Sequence, residues 1–274
     1  MTARSFPAMP GEIFASGWRN RHLIAQLIRR EIVGRYRGSI FGLLWSLFNP
    51  LLMLLIYTFV FSVVFNARWA QGSESRTGFA MVLFAGLLGF NLFAECIGRA
   101  PALILANVNY VKKVVFPLEI LPWVALGSAL FHFLVGLIVW MVFYLLFFGL
   151  PQTTALLLPV AILPLVLLTL GLSWFLASLG VYLRDVSQVI GIVLTMLMFL
   201  SPVFYPLSAI PSDFQALLVL NPLTLAIEHV RDVLVWGKLP DAAEYLVYLV
   251  GCALMSLFGF AWFQKTRKGF ADVL

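Results

Sequence analysis

Long apolar segments alternate with short polar ones along this chain of 274 residues. Four long stretches contain no charged residue, namely 38–67, 120–183, 186–212 and 245–264. A helix needs about 20 mostly apolar residues to cross a hydrocarbon core of about 30 Å. The pattern therefore predicts an all-α integral membrane protein.

Polar breaks divide the apolar regions into six predicted spans: 40–65, 79–97, 120 to about 150, about 150–183, 189 to about 205, and 245–263. The third and fourth spans are separated at the turn sequence GLPQ (149–152), because the uncharged stretch is too long for one crossing. The fifth ends at the helix breakers Pro202 and Pro206. An even number of crossings places both termini on the same side of the membrane.

The distribution of lysine and arginine predicts the orientation of the spans, because cytoplasmic loops are enriched in these residues. With the N-terminus inside, 14 of the 18 fall on the cytoplasmic side. The four that fall outside are Arg68, Arg76, Arg231 and Lys238. The net charge of +6 therefore reflects topology, and it is poor evidence for a nucleic-acid partner.

Composition agrees with this assignment and excludes several functions. Apolar residues make up 62% of the chain, charged residues 11%, and the mean hydropathy is +0.99. So little polar surface leaves no room for a soluble catalytic or nucleotide-binding domain of about 100 residues. The phosphate-binding loop G-x-x-x-x-G-K-[ST] is missing, and both cysteines, Cys96 and Cys252, lie inside apolar runs. We expect no catalytic residue, cofactor or metal in this chain.

Two cytoplasmic segments are predicted to be helical without crossing the membrane. Within residues 1–39, Ile24, Ile28, Ile32 and Tyr36 recur every four residues, as on one face of an interfacial amphipathic helix. The loop 98–119 is too polar for a span and too apolar for a free linker, which predicts a short surface helix. An ordinary interfacial loop and a lever that contacts a partner both fit its spacing.

Residues 208–242, between the fifth and sixth spans, carry two helix-start signals. Ser212 with Gln215 forms a capping box, and Asn221-Pro222 pairs an N-cap with proline at the first helical position. Three polar residues then share one face of the second helix: Glu228, Arg231 and Asp232. The two short helices are predicted on the external side, where they close a pore or pack on the sixth span.

Few polar residues fall inside the predicted spans, and the ionisable ones are Glu95 and His132. An intramembrane ionisable residue is a functional candidate by default, although a neutral histidine bonded to a neighbouring span is the simpler explanation of His132. Aromatic residues make up 15% of the chain, and sugar faces stack well on such rings. The candidates for a channel lining are Trp45, Phe48, Tyr57, Phe204 and Tyr205.

Three passages resemble the permease subunits of type-2 ABC exporters that move O-antigen, capsular polysaccharide or teichoic acid. They are RYRGS (35–39) with FGLLW (41–45) and NPL (49–51); NYVKK (109–113) with FPLEILP (116–122); and SPVFYP (201–206) with NPL (221–223). Each motif alone is weak. In this order, on six predicted spans, they cover almost the whole chain.

The resemblance implies a homodimer whose 40–274 regions are six-span permease domains around a central channel in the inner membrane. It implies two copies of a separate ATPase chain that binds ATP and Mg²⁺, and a lipid-linked polysaccharide substrate surrounded by membrane lipids. The lipid pyrophosphate would lie near Arg35 and Arg37. The implied ATPase contacts are Asn107, Asn109, Lys112, Lys113, Arg184 and Asp185, and the helices within 208–242 would be external gate helices.

Two other hypotheses remain open on the sequence. A type-2 ABC exporter of a drug or small lipid would have a narrower pore and would tolerate loss of channel aromatics such as Tyr57. A membrane-embedded transferase, or a scaffold for one, is opposed by the missing metal and nucleophile motifs.

Overall fold

The structure, a computed structural model, describes residues 10–60, 76–112 and 116–274. Every secondary-structure element in these ranges is a helix and none is a strand, which confirms the all-α prediction. Short 3-10 turns join the α-helices. The α-helices are α1 (Pro10–Arg19), α2 (Arg21–Tyr36), α3 (Trp45–Tyr57), α4 (Arg76–Arg99), α5 (Val108–Lys112), α6 (Leu121–Phe148), α7 (Leu158–Ala161), α8 (Leu163–Tyr182), α9 (Val186–Leu200), α10 (Ser212–Val219), α11 (Pro222–Arg231), α12 (Ala242–Thr266) and α13 (Phe270–Val273).

Five helical segments in the described ranges are long and apolar enough to cross a membrane: Gly42–Val60, Thr77–Ala102, Leu118–Phe148, Thr153–Tyr182 and Ala242–Val273. They correspond to predicted spans one, two, three, four and six, although the end of span one, 61–65, lies outside the described residues. Predicted span five corresponds to α9, which has 15 residues and extends about 22 Å, less than the hydrocarbon core. A crossing of the membrane by span five, which would make six crossings in all, therefore stays a prediction.

The break between the third and fourth spans occurs where the turn sequence predicts it. Helix α6 ends at Phe148, and Gly149 has φ +84°, a conformation that residues with a Cβ rarely adopt. Helical structure resumes at Thr153.

Two short helices, α10 and α11, lie where the start signals predict them. Asn221 is the N-cap of α11, since its side-chain oxygen accepts a hydrogen bond from the Leu223 N–H at 3.0 Å. A π-helical turn follows α11 and ends at Gly237, which is left-handed with φ +64°. The positions of these helices agree with the prediction, whereas their role as gate helices stays a prediction.

Helix α4 is the centre of the bundle and α3 is at its periphery. The most apolar part of the segment Thr77–Ala102, which contains most of α4, is 83% buried, whereas that of Gly42–Val60, which contains α3, is 6% buried. Helix α4 contacts α6, α8, α9 and α11. Helices α3 and α9 present large apolar side chains outward, which suits a surface covered by lipid or by another subunit.

Two glycines at the crossing of α8 and α12 allow these helices to approach each other closely. A Cβ added to Gly259 would lie 1.9 Å from the Gly171 carbonyl oxygen, and one added to Gly171 would lie 2.5 Å from the Met255 carbonyl oxygen. Small residues at such a crossing allow two backbones to pack directly against each other in a membrane. This contact fixes α12 against the rest of the bundle.

The N-terminal region contains two helices, α1 and α2, rather than the single interfacial helix of the prediction. In α2, Leu27 is buried against Ile120 and Val124 at the start of the third span. Glu31, which interrupts the apolar arc in sequence, pairs with Arg99 at the end of α4. The apolar face of α2 therefore docks on protein.

Candidate functional site

A polar cavity of about 450 Å³ lies between α2, α3, α4 and α6. Its walls combine apolar side chains with a convergent polar set. The polar lining residues are Arg35, Tyr36, Ser46, Asn49, Tyr57, Asn91, Glu95 and His132. Polar and ionisable groups among apolar spans cost free energy, so their convergence in one cavity marks the leading candidate site.

Glu95 is the centre of the charged cluster in this cavity. Its carboxylate lies 2.6 Å from an Arg35 guanidinium nitrogen, 2.9 Å from His132 Nδ1 and 3.9 Å from Arg99. The Arg35 side chain is 36% exposed, whereas Glu95 is only 20% exposed. The arginine is thus held by an internal counterion and still reaches open space, where it can meet an anionic ligand.

His132 links three elements of the bundle. Because the Glu95 carboxylate can only accept, His132 Nδ1 donates to it, and His132 Nε2 lies 3.1 Å from the Tyr36 hydroxyl. The predicted hydrogen bond from His132 to a neighbouring span is therefore present. The sequence did not reveal that its partners are Glu95 and the end of α2, since these contacts join residues far apart in the chain.

The two arginines assigned to a pyrophosphate occupy different positions. Arg35 lines the cavity, whereas Arg37 lies beyond the end of α2, is exposed and is not part of the lining. Both arginines are exposed, and their role stays a prediction.

The predicted channel aromatics fall into two groups. Tyr57 lines the cavity, and its ring centroid lies 6.0 Å from that of Phe204. Trp45 and Phe48 pack edge-to-face on the outer side of α3, where Phe48 borders a separate apolar groove of about 510 Å³. Tyr205 donates to the Phe199 carbonyl at 2.6 Å and so braces the end of α9. One subunit does not bring all five rings to one surface.

The described residues among those assigned to ATPase contacts lie in the loop 98–119 and in the turn between α8 and α9. Lys112, at the end of α5, donates to the backbone oxygen of Leu274, and Asn107 donates to Leu103 O at 2.9 Å. Asn109 is exposed, and Lys113 lies outside the described residues. Arg184 and Asp185 are exposed in the turn between α8 and α9.

Arg231 is the most deeply buried charged residue in the described part of the chain, with 0% exposure. It donates to the Val82 carbonyl on α4, to the Pro202 and Val203 carbonyls after α9, and to Glu228 at 2.9 Å. The backbone after α9 is not helical and cannot satisfy these carbonyls itself, so the guanidinium supplies donors that water would otherwise provide. Arg231 therefore ties α11 to α4 and to the end of α9.

Asp232, outside the five apolar spans, has a pKa raised from 3.8 to about 6 by burial, reinforced by the Glu228 charge. Since the folded pKa is the higher one, the stability linked to protonation is complete below 3.8 and is lost as the pH rises through about 6. We expect Asp232→Asn to be more stable than the wild type above pH 6 and to lose this advantage in acid. Thermal unfolding in detergent across this pH range tests it. A gain that is independent of pH would contradict the assignment.

Sequence reasoning missed a second polar cluster on the predicted cytoplasmic side. Glu119 is 8% exposed, pairs with Arg267 after α12, and accepts from Ser16 Oγ in α1 at 3.3 Å. Arg267 also donates to Phe116 O at 2.9 Å. The only available signal was an acidic residue at the entrance to an apolar span. This cluster joins α1, the loop before α6 and the end of α12.

The helical architecture and the apolar spans define an integral membrane protein, and a polar cavity lies between these spans. Residues 22–235 match the family described as ABC-2 type transporter. The chain belongs to this family, which confirms the resemblance based on the three passages. The description of this family is that of a transporter.

Several curated proteins are similar to this chain over most of its length. It is 30% identical over 255 residues to the O-antigen export system permease protein RfbA of Myxococcus xanthus, covering 92% of this chain and 95% of that protein. It is 26% identical over 254 residues to a protein of the same name from Klebsiella pneumoniae, with the same coverage. The polysialic acid transport protein KpsM of Escherichia coli is 26% identical over 248 residues, which cover 89% of this chain and 93% of that protein.

Proposed function

We propose that this chain is the membrane-spanning permease of an ATP-driven exporter of lipid-linked polysaccharide. The names of the similar proteins, which refer to O-antigen export and polysialic acid transport, support the substrate class. The chain acts as a homodimer in the inner membrane, with both termini in the cytoplasm and 40–274 as its permease domain. Two copies of a separate ATPase chain bind ATP and Mg²⁺.

The observation that carries the proposal is the placement of Arg35 at the polar cavity. A lipid-linked glycan has an anionic linkage, an apolar chain and a hydroxyl-rich polymer. Arg35 offers a guanidinium fork suited to phosphate oxygens, and Asn49, Asn91 and Tyr57 offer amide and hydroxyl groups to sugars. These groups support the proposal that the cavity binds the anionic linkage and the first sugars.

Deletion of the gene in its native host, with quantification of surface and internal glycan, tests the proposal. We expect surface polysaccharide to disappear while lipid-linked polymer accumulates inside the cell. Affinity purification from the native membrane should recover an ATPase chain in equal amount. Unchanged surface glycan together with a chain that purifies alone would refute polysaccharide export. Unchanged glycan with a copurifying ATPase would point to a drug or small lipid as substrate.

Charge reversal at Lys112 tests the proposed ATPase contact. Lys112→Glu places a carboxylate beside the Leu274 carbonyl oxygen and removes a cation from the loop 98–119. We expect export and ATPase stimulation to fall about tenfold, equivalent to about 1.4 kcal/mol of association, with normal folding. Lys238→Glu, an exposed lysine beyond α11, is the matched control and should retain export. Normal export in Lys112→Glu would remove Lys112 from the contact.

A further inference from the structure

The Arg35 guanidinium has an internal partner that resembles the anion assigned to it above. A Glu95 carboxylate oxygen lies 2.6 Å from an Arg35 guanidinium nitrogen, and both side chains line the same cavity. Carboxylate and phosphate groups bind a guanidinium in the same way, because both offer anionic oxygens to its fork of N–H donors. Glu95 therefore occupies a donor that a phosphate group in the cavity would use.

Two closely packed helices hold the Glu95 carboxylate at the cavity wall. His132 of α6 donates to it from Nδ1 at 2.9 Å, and Arg99, one turn further along α4, lies 3.9 Å away. The two helices pack tightly beside this point, since a Cβ added to Gly136 of α6 would lie 2.6 Å from the Leu88 side chain of α4. The position of the carboxylate is therefore fixed by α4 and α6.

These contacts allow Arg35 to leave Glu95 without exposing an unpaired charge. A carboxylate that loses its only partner among apolar helices is strongly destabilising. When Arg35 turns away, however, the Glu95 carboxylate keeps the hydrogen bond from His132 and the nearby charge of Arg99. Loss of one partner out of three makes an exchange of Arg35 between Glu95 and a ligand affordable in free energy.

The Arg35 side chain can make this exchange by rotation alone. Arg35 lies in the last turn of α2, and its side chain is 36% exposed. Exposed side chains change rotamer within nanoseconds, and the four-atom stem of arginine moves the guanidinium over several ångströms. The exchange therefore needs no movement of α2.

A weakened site suits a transporter, which must release what it binds. Binding in a transport pathway has to be favourable enough for entry and weak enough for exit. A guanidinium with no internal counterion would hold a phosphate group through several charge-assisted hydrogen bonds in a cavity with little water. A carboxylate that takes the guanidinium back lowers this affinity and favours release.

We infer that Glu95 is a built-in competitor of the substrate for Arg35, and that it sets the affinity of the cavity for the anionic linkage. The inference rests on the proposed function and concerns the regulation of the same site. While a phosphate group is bound to Arg35, Glu95 is held by His132 and Arg99. When Arg35 returns to Glu95, the phosphate group loses its donors and leaves. Glu95 is a positioning residue, since it acts through Arg35.

The test measures equilibrium binding of polyprenyl pyrophosphate, as the probe, to the permease–ATPase complex in nanodiscs. Glu95→Gln removes the charge but keeps the size of the side chain and an oxygen that accepts from His132. We expect this variant to bind the probe about tenfold more tightly than the wild type, because one competing charge-assisted hydrogen bond is lost. Its export should have a lower KM and a lower turnover, whereas a structural defect would raise the KM.

Three further variants separate competition from a general effect of charge. Glu12→Gln removes the same charge from an ion pair with Arg19 in α1, outside the cavity, and should change the affinity by less than about twofold. Glu95→Asp keeps the charge on a shorter side chain, so its gain should be smaller than that of Glu95→Gln. In an Arg35→Gln background, Glu95→Gln should give no gain, because no guanidinium remains to compete for.

The outcomes distinguish this inference from the proposed function. Weak binding in Arg35→Gln together with wild-type affinity in Glu95→Gln would overturn the competition and leave the proposed function intact. A gain from Glu95→Gln that persists in the Arg35→Gln background would also overturn it, since simple repulsion by Glu95 would then explain the gain. Wild-type affinity in Arg35→Gln would refute both the proposed role of Arg35 and the inference.

Discussion

Replacing Arg231 by methionine is expected to lower the free energy of unfolding by about 3–5 kcal/mol, the usual result of removing one partner from a buried ionic network. The fully buried guanidinium donates to the Val82, Pro202 and Val203 carbonyls and to Glu228. Methionine fills much of the space but donates nothing, so three carbonyls lose a donor where water is scarce. The midpoint of thermal unfolding in detergent is the measurement.

Two further variants separate this network from a general charge effect. Arg231→Lys keeps the charge but loses the planar fork that reaches several carbonyls, so it should also be destabilised, although less. Arg29→Met removes an exposed arginine of α2 and should leave the midpoint almost unchanged. Equal midpoints for Arg231→Met and Arg29→Met would show that the buried network does not stabilise the protein.

Gly259→Ala is expected to destabilise the protein by about 1–3 kcal/mol or more, because it overpacks the crossing of α8 and α12. The added Cβ would lie 1.9 Å from the Gly171 carbonyl oxygen, a distance that only separation of the two helices can relieve. That neighbour is backbone and cannot rotate away. Thermal unfolding and the fraction of folded protein recovered from the membrane report the effect.

The matched control lies on the same helix. Gly251 is also inside α12, but a Cβ there meets nothing within 4 Å. Gly251→Ala should therefore be neutral or stabilising by about 0.5–1 kcal/mol, since alanine favours the helix. If both alanines have the same effect, the α8–α12 crossing is not limited by backbone contact.

The elements that depend on local chemistry could be predicted from the sequence. The break at Gly149 and the start of α11 at Asn221-Pro222 follow from the conformations that these residues favour, and both are observed. Span positions follow from apolar length alone. The family also followed from motifs, because short passages in a fixed order identify relatives even when each is weak.

The fifth predicted span shows what apolar length leaves open. The sequence predicts a span from 189 to about 205 that ends at the prolines, and α9 ends at Leu200, where Ser201 is extended. The carbonyls of Pro202 and Val203 then pair with Arg231, a residue 29 positions away from Pro202. Because these residues are far apart in the sequence, the contact could not be predicted. The sequence placed Arg231 only on the polar face of a helix.

The polar cavity was predicted only in its parts. Arg35, Glu95 and His132 were each singled out, but their convergence depends on how α2, α4 and α6 cross. Apolar periodicity predicts which residues are helical and says nothing of which helices are neighbours. For the same reason, the Arg30–Tyr110 and Glu119–Arg267 contacts had no counterpart in the sequence.

ATP-dependent movement of a lipid-linked polysaccharide by the reconstituted permease and ATPase tests the central claim most directly. Polymer delivered into proteoliposomes becomes protected from an added glycosidase, which gives the readout. We predict protection that requires ATP in the wild type and is lost in Arg35→Gln, with Arg29→Gln as the matched control that retains it. Transport that is absent in the wild type, or that survives unchanged in Arg35→Gln, would contradict the account.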